Sequence, residues 1–572
     1  MFSKRVSSLL LSLMLFSFVL NGCSSGGNEV SKTLPEYKNG LVVSTHSIAS
    51  QVGLDILKKG GNAVDAAVAT SYALAVVYPR AGNIGGGGFM VIRDADGNAT
   101  TIDYREKGPG KAHKDMYLDQ DGNVIPNLNR NGALAAGVPG TVAGTLYAQE
   151  KYGKLTRREV LQPAIDLARN GFILQAPMGG RWAQMYEPTN KIFNKPDGSA
   201  YETGEGLIQT DLAKTLELVA ENGRDGFYKG ETADNIVKCM QEFDGIISYE
   251  DLENYLPEER EPVTGTYRGY EIVSMPPVSS GGISLIEMLN ILERYDISSL
   301  GWNSAKTAHL LAETERRVFA DRNQYIADPS FFDVPADVLT SKYYANIRAK
   351  DIDKNRVTSS LDVKHGDVTT FKPESEETTH LSVVDKDGMA VSLTTTIERS
   401  YGSYLVVDGS GFLLNNEMGD FSAKTGVPNA AGLVYGDANA IAGNKRMLSS
   451  MTPTIVTKNG KNFMVIGTPG GPTIITTVLQ CIMNVVDHGM NIQEAINAGR
   501  IHHQWLPDRI DYELDRNALS EAVRTALGEL GHTLRDRGDI GNAQGIVIDP
   551  VTGMLTGGAD PRRFPPSSAK GF

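Results

Sequence analysis

The sequence predicts an α+β fold in which antiparallel sheets carry helices on their outer faces. Two observations predict it. Turn dipeptides between alternating apolar runs recur from one end of the chain to the other, at Asp96-Gly97, Asp387-Gly388, Asn459-Gly460 and Thr552-Gly553. Asp-Gly or Asn-Gly in that setting is the strongest short-range signal for a hairpin. Amphipathic helical segments are interspersed among these hairpins, which argues for helices packed outside antiparallel sheets. A doubly wound parallel sheet is disfavoured, because its strands are joined by crossovers and not by tight turns.

The elements follow in order. Ser47–Lys59 carries apolar residues at helical spacing and stops at Gly60-Gly61. Asn62 then caps a second apolar helix, AVDAAVATSYALAVV, which ends before Pro79. The first hairpin occupies 88–106, and helices are predicted over Thr156–Asn170, Thr210–Glu221, Glu231–Glu242 and Ser304–Ala327. Hairpins at 379–397, 451–467 and 543–558 follow, with a helix over Leu519–Leu530 between the last two. No repeat of fixed period is present.

Composition narrows the function. The 572 residues include 55 Lys and Arg against 68 Asp and Glu, a net charge of −13, so no basic field exists for a phosphate backbone and nucleic-acid binding is disfavoured. Glycine, 61 residues, exceeds the usual share of about 7% without any Gly-X-Y period, which points to tight turns and close backbone approaches. Three cysteines, Cys23, Cys239 and Cys481, are too few for a disulfide scaffold.

The N-terminus reads as an export signal. Lys4 and Arg5 precede the apolar run Leu9 to Leu20, too short for a membrane-spanning helix but suited to a secretory signal. Leu20-Asn21-Gly22-Cys23 resembles a bacterial lipobox, and Ser24 to Asn28 forms a polar tether. Residues 1–22 are therefore expected to be removed, Cys23 to be lipidated, and 23–35 to tether an exported body in the periplasm or cell envelope. Cys239 and Cys481 then read as buried thiols, with an envelope disulfide between them left open though nothing argues for it.

Several chemistries are disfavoured by their missing patterns. No HExxH occurs among the nine histidines, and Gly85-Gly86-Gly87-Gly88 precedes a strand instead of joining a strand to a helix, so the dinucleotide turn is absent. GxSxG occurs only at the signal-cleavage region, 22–26. What remains is Glu374-Ser-Glu-Glu-Thr-Thr-His380, an acidic stretch that meets a β-rich run at Thr378. A threonine hydroxyl needs an adjacent base, and its own α-amino group, with a pKa of about 7.7–8.0, can serve once the preceding bond is cut.

Longer blocks give that threonine a context. TTHLSVVDKDGMAVSLTTTIERSYGS, LLNNEMGDFSAKTGVPN, NKRMLSSMTPTIV, GTPGGPTIITTVLQ, IHHQWLPD and GADPRR, in this order, resemble the small subunit of the γ-glutamyltranspeptidases. NAVDAAVAT, GNIGGGGFM, DYREKGPGKA and SMPPVSSGG resemble the large subunit, so the likeness spans nearly all of 36–572. It implies an N-terminal-nucleophile hydrolase with an αββα sandwich, without a cofactor, that cuts itself before Thr378 into a large chain, the tether 23–35 with the large-subunit body 36–377, and a small one, 378–572. It implies action on small γ-glutamyl compounds such as glutathione, with amino acids or peptides as acceptors.

The resemblance also implies roles. Thr378 is the nucleophile, Thr396 its hydrogen-bonding partner, and Gly470 and Gly471 the oxyanion pair. Arg105 holds the substrate α-carboxylate with Ser449 and Ser450, while Glu417 and Asp420 receive the α-ammonium. Glu398 stands where many members have asparagine and others glutamate. Ala431 replaces the lid tyrosine of some members, implying a more open acceptor side, and Met447 replaces a usual proline. Within the same fold a glutaryl-type acylase is the alternative. From another class, the alternative is a lipoprotein that only binds γ-glutamyl peptides. Without the resemblance, Arg105 would read as a surface cation and the two acids as a solvated turn.

Overall fold

The four hairpins fall on strands of two seven-stranded sheets. The computed structural model describes residues 33–366, 378–424 and 439–572. The expectations for Cys23, for the stretch Glu374 to Glu377 and for Ala431 lie outside the described residues. From Pro35 to Phe572 the chain forms one unit.

In chain order the sheet strands are β1 (Glu36–Tyr37), β2 (Gly40–Ser44), β3 (Gly87–Arg93), β4 (Ala99–Asp103), β5 (Glu258–Arg260), β6 (Val263–Tyr267) and β7 (Tyr270–Ser274). They continue as β8 (Thr379–Asp385), β9 (Ala390–Thr396), β10 (Thr454–Lys458), β11 (Lys461–Gly467), β12 (Gln544–Ile548), β13 (Leu555–Ala559) and β14 (Ser568–Gly571). One sheet runs β14-β2-β8-β9-β3-β4-β5 and the other β1-β13-β12-β11-β10-β7-β6. Every pairing in both is antiparallel. Residues before and after Thr378 contribute strands to each sheet, so neither part has a complete sheet of its own. At the β10–β11 turn Asn459 and Gly460 have φ of 52° and 77°, the two left-handed residues a tight hairpin turn requires.

Between the sheets lies an apolar layer. Val43, Val91 and Val384 of the first meet Val273, Ile455, Val465 and Ile546 of the second, all buried. Leu381, Val383, Val391 and Leu393 point the other way, toward the helix Ala63–Val77. That helix is buried on every side and starts as expected: Asn62 Oδ1 accepts from Val64 N and Asp65 N, and Asp65 returns a carboxylate oxygen to Asn62 N, each at 3.1 Å. Helices Gly281–Leu292 and Thr473–Val486 cover the second sheet, completing the αββα order. The sequence reading missed both, and also Thr141–Tyr152. The run TIITTVLQCIMNVV is rich in β-branched residues, which favour strands, and in the sequence reading this outweighs the helical spacing of Thr473, Thr476, Thr477, Gln480 and Asn484.

Toward the Thr378 end the layer between the sheets becomes polar. Ser382 Oγ donates to Gln544 O and Ser392 Oγ to Ile466 O, both at 3.1 Å across the sandwich. His380 contacts Thr394 Oγ1 at 2.9 Å and Ser382 Oγ at 3.1 Å, and burial pushes its pKa down to about 3, so it is neutral. The glycine run is explained by backbone crowding: a Cβ on Gly86 would lie 2.0 Å from Thr396 O. Gly86→Ala is therefore expected to destabilise the protein by about 1–3 kcal/mol through forced backbone displacement, read as a lower Tm in thermal denaturation; an unchanged Tm would contradict the crowding. Cys239 and Cys481 are buried and unpaired, and burial raises both thiols, Cys239 to about 12.

Candidate active site

Thr378 sits one residue before β8 and is 3% exposed. The register pairs Thr379 with Thr395, so one further step sets Thr378 opposite Thr396 at the end of β9. Thr396 Oγ1 donates to Glu417 Oε1 at 2.9 Å and accepts from Glu398 N at 2.8 Å. The hairpin thus brings together two threonines that lie eighteen positions apart in sequence, which a turn at Asp387-Gly388 dictates.

Facing this edge is the end of β11. A Cβ on Gly467 would lie 2.4 Å from the His380 ring, so β8 and β11 touch where their active ends meet. β11 leads through Pro469 into Gly470 and Gly471, with φ of 138° and 60°, and then into the helix Thr473–Val486. Neither glycine N–H donates to a group among the described residues. Two spare N–H donors ahead of a helix N-terminus, with its partial positive charge, suit a developing oxyanion.

Arg105 follows β4 and is 1% exposed. Its guanidinium meets Glu417 at 2.7 Å, contacts Asp420, and lies 3.5 Å from Glu106. Nε donates to Met447 O and Nη2 to Leu448 O, both at 3.1 Å. The surface-cation reading of Arg105 and the solvated-turn reading of the acids are both overturned, since all three side chains are buried. The acids lie on the 3₁₀ turn Glu417–Asp420. Asn415 fixes that turn: its Oδ1 accepts from Gly137 N at 2.8 Å and Glu417 N at 3.0 Å, while Nδ2 donates to Gly85 O and Gly137 O. Ser449 and Ser450, each 2% exposed, immediately follow the carbonyls that Arg105 grips.

The sequence reading did not single out Glu106 or Asn415. Glu106 is buried beside Arg105, and burial, with the charge of Glu417 added, holds its carboxyl well above the usual range despite Arg105. Nothing in a lone Glu after Arg signals this, because the carboxylate that perturbs it is remote in sequence.

Glu398, at φ 70°, is hydrogen-bonded to Asn416 Nδ2. Burial, reinforced by Glu417 and opposed by Arg130, raises its carboxyl to about 8. Glu398 is then neutral at pH 7 and gains charge above it. On the ammonium-binding role that the resemblance implies for this position, ionisation of Glu398 is expected to lower KM for a γ-glutamyl donor as pH rises through about 8. Glu398→Gln should flatten that limb; an identical limb in the variant would refute the assignment. By the same linkage a raised carboxyl pKa withdraws stability as pH rises from the ordinary carboxylate range toward 8.

An αββα sandwich of two antiparallel sheets, with a threonine at the head of an inner strand, defines the class of N-terminal-nucleophile hydrolases. The family model for gamma-glutamyltranspeptidase matches residues 49–568, and the chain belongs to that family. It is 48% identical over 532 residues to a glutathione hydrolase proenzyme of Escherichia coli strain K12, covering 92% of this chain and 90% of that protein. It is 39% identical to an acylase ACY 1 proenzyme of Pseudomonas sp. strain SE83, covering 91% of each. A cephalosporin acylase structure from Bacillus halodurans superposes with a TM-score of 0.82 at 28% identity, covering 97% of this chain and 99% of that one.

Proposed function

We propose that this chain is a γ-glutamyltransferase and glutathione hydrolase that activates itself by cutting before Thr378. The observation that carries the reading is a buried guanidinium placed between two carboxylates, beside a serine pair: Arg105 with Glu417 and Asp420, next to Ser449 and Ser450. A γ-glutamyl group is a zwitterion at its α end, and each of its charges finds its opposite here. The E. coli relative at 48% identity supports the substrate class.

In the proposed course, the Thr378 hydroxyl first attacks the carbonyl of residue 377, the 377–378 C–N bond breaks, and the departing nitrogen takes up the hydroxyl proton. The ester so formed is hydrolysed, and a free α-amine remains on Thr378. That amine then takes the proton of the hydroxyl as it attacks the γ-glutamyl amide, the C–N bond breaks, and the amine leaves with the proton. A γ-glutamyl ester on Thr378 is left, which water or an acceptor amine cleaves. Thr396 orients the nucleophile, and the Gly470 and Gly471 N–H groups stabilise the negative oxygen. The precursor is proposed to carry a lipid on Cys23 and to yield a large chain, 23–377, whose residues 23–35 tether the body 36–377 in the cell envelope, and a small chain, 378–572.

The acylase relatives supply the second reading. A glutaryl group brings a carboxylate without the ammonium, which would set three carboxylates on the single guanidinium of Arg105. Comparing hydrolysis of γ-glutamyl and glutaryl 4-nitroanilides tests this. The γ-glutamyl compound is expected to react at least about tenfold faster in kcat/KM, from one unmade charged contact; equal rates, or preference for glutaryl, would overturn the reading.

A further inference from the structure

Ser449 and Ser450 are held by a third segment, and the way they are held decides where their protons go. Ser279 and Ser280, from the SSGG run before the helix Gly281–Leu292, lie alongside them. Ser449 O accepts from Ser280 N at 2.7 Å, from Ser280 Oγ at 2.8 Å and from Ser279 Oγ at 3.1 Å. Behind this crossing stands Arg322, on the helix Ala305–Tyr325 and fully buried. Its Nε donates to Ser280 Oγ at 2.9 Å and its Nη2 to Ser450 Oγ at 2.8 Å.

A guanidinium has donors and no acceptor, so in the contact with Arg322 the Ser450 oxygen can only accept. Ser449 Oγ likewise accepts, from Met451 N at 3.2 Å. A hydroxyl has one proton, and neither of these hydroxyls donates to another described residue. Both protons are therefore available to a ligand, and both oxygens are polarised by the donors behind them. Arg105, the direct cation of the site, already shares its charge with Glu417, Asp420 and Glu106.

We propose that Arg322 is a positioning residue for the α-carboxylate of the donor: it commits the Ser450 hydroxyl to donate to the ligand and, through Ser280, fixes the Ser449 backbone. The proposal rests on the γ-glutamyl reading above. The test compares γ-glutamyl 4-nitroanilide with 4-aminobutanoyl 4-nitroanilide, which keeps the amine and lacks the carboxylate, on processed protein. Arg322→Lys is expected to lower kcat/KM for the first about tenfold or more, mainly through KM, as losing a hydrogen bond to a charged group does. The second substrate should change less than about twofold, within the usual effect of a neutral site. Ser450→Ala should show the same selective loss, and the double variant should lose no more than the worse single one, because both remove the same contact.

A parallel loss on both substrates would mark Arg322 as merely structural and overturn the proposal, as would losses that multiply in the double variant. If Arg322→Lys fails to fold, Ser450→Ala decides alone: a selective loss supports the proposal and a parallel one overturns it. A wild-type protein that cleaves neither anilide would instead overturn the γ-glutamyl reading, and the proposal with it.

Discussion

Thr378→Ala is expected to run on a denaturing gel as one uncut chain, with activity reduced by about 10⁴-fold or more, as removal of a covalent nucleophile does. The wild type should instead show two fragments, the smaller of them residues 378–572. Both effects have one cause, because the hydroxyl that attacks the substrate is also the one that attacks the preceding carbonyl. The structure sharpens this expectation. Thr378 is buried, one residue before β8 and in register with the end of β9, so a group already in place beside it is expected to do the cutting. Normal two-chain processing in the alanine variant would overturn the assignment, and mass spectrometry of the new N-terminus would locate the true cut.

Arg105→Ala is expected to be the most damaging change outside the nucleophile. From sequence alone, the loss should fall mainly on γ-glutamyl binding, with self-cleavage intact. The buried contacts to Glu417, Asp420 and Glu106 add a second cost. Removing the cation leaves buried carboxylates without their partner, which typically destabilises by about 3–5 kcal/mol. A fall of about 10²-fold or more in kcat/KM should accompany it, from the lost charged hydrogen bonds to substrate. Thermal denaturation and kinetics on the processed fraction separate the two costs. Arg105→Lys keeps the charge but loses the planar fork, so it should recover stability more than it recovers binding. An alanine variant with unchanged Tm and KM would refute both roles.

Much of the fold is legible because its signals are local. Asn459-Gly460 specifies a turn whatever lies elsewhere, and Asn62 with Asp65 caps a helix within four residues. Helix Thr473–Val486 is masked by its β-branched residues, which favour a strand, although Thr473, Thr476, Thr477, Gln480 and Asn484 do recur at helical spacing. In the site, the blocks of family resemblance pointed to Arg105, Glu417, Asp420 and the serine pair, and the structure brings Arg105 and both acids into contact. Glu106, Asn415 and Arg322 escaped because what surrounds them is remote in sequence: for Glu106 its burial and a carboxylate more than three hundred positions away, for Asn415 the backbone of Gly85 and Gly137, for Arg322 the hydroxyl of Ser450.

The amino-acid order by itself determined the antiparallel hairpins, the helix starts and the family, and with the family the residues to watch. It did so because turn geometry, capping and motif spacing involve neighbours a few positions apart. Only the tertiary structure decided that Arg105 is a shared, buried counter-charge, that burial raises the Glu398 carboxyl, and that the Ser449 and Ser450 hydroxyl oxygens accept from Met451 N and Arg322. Those properties arise from desolvation and from hydrogen-bond direction, and burial by the folded chain, with contacts such as Arg105 to Glu417 and Arg322 to Ser450, sets them.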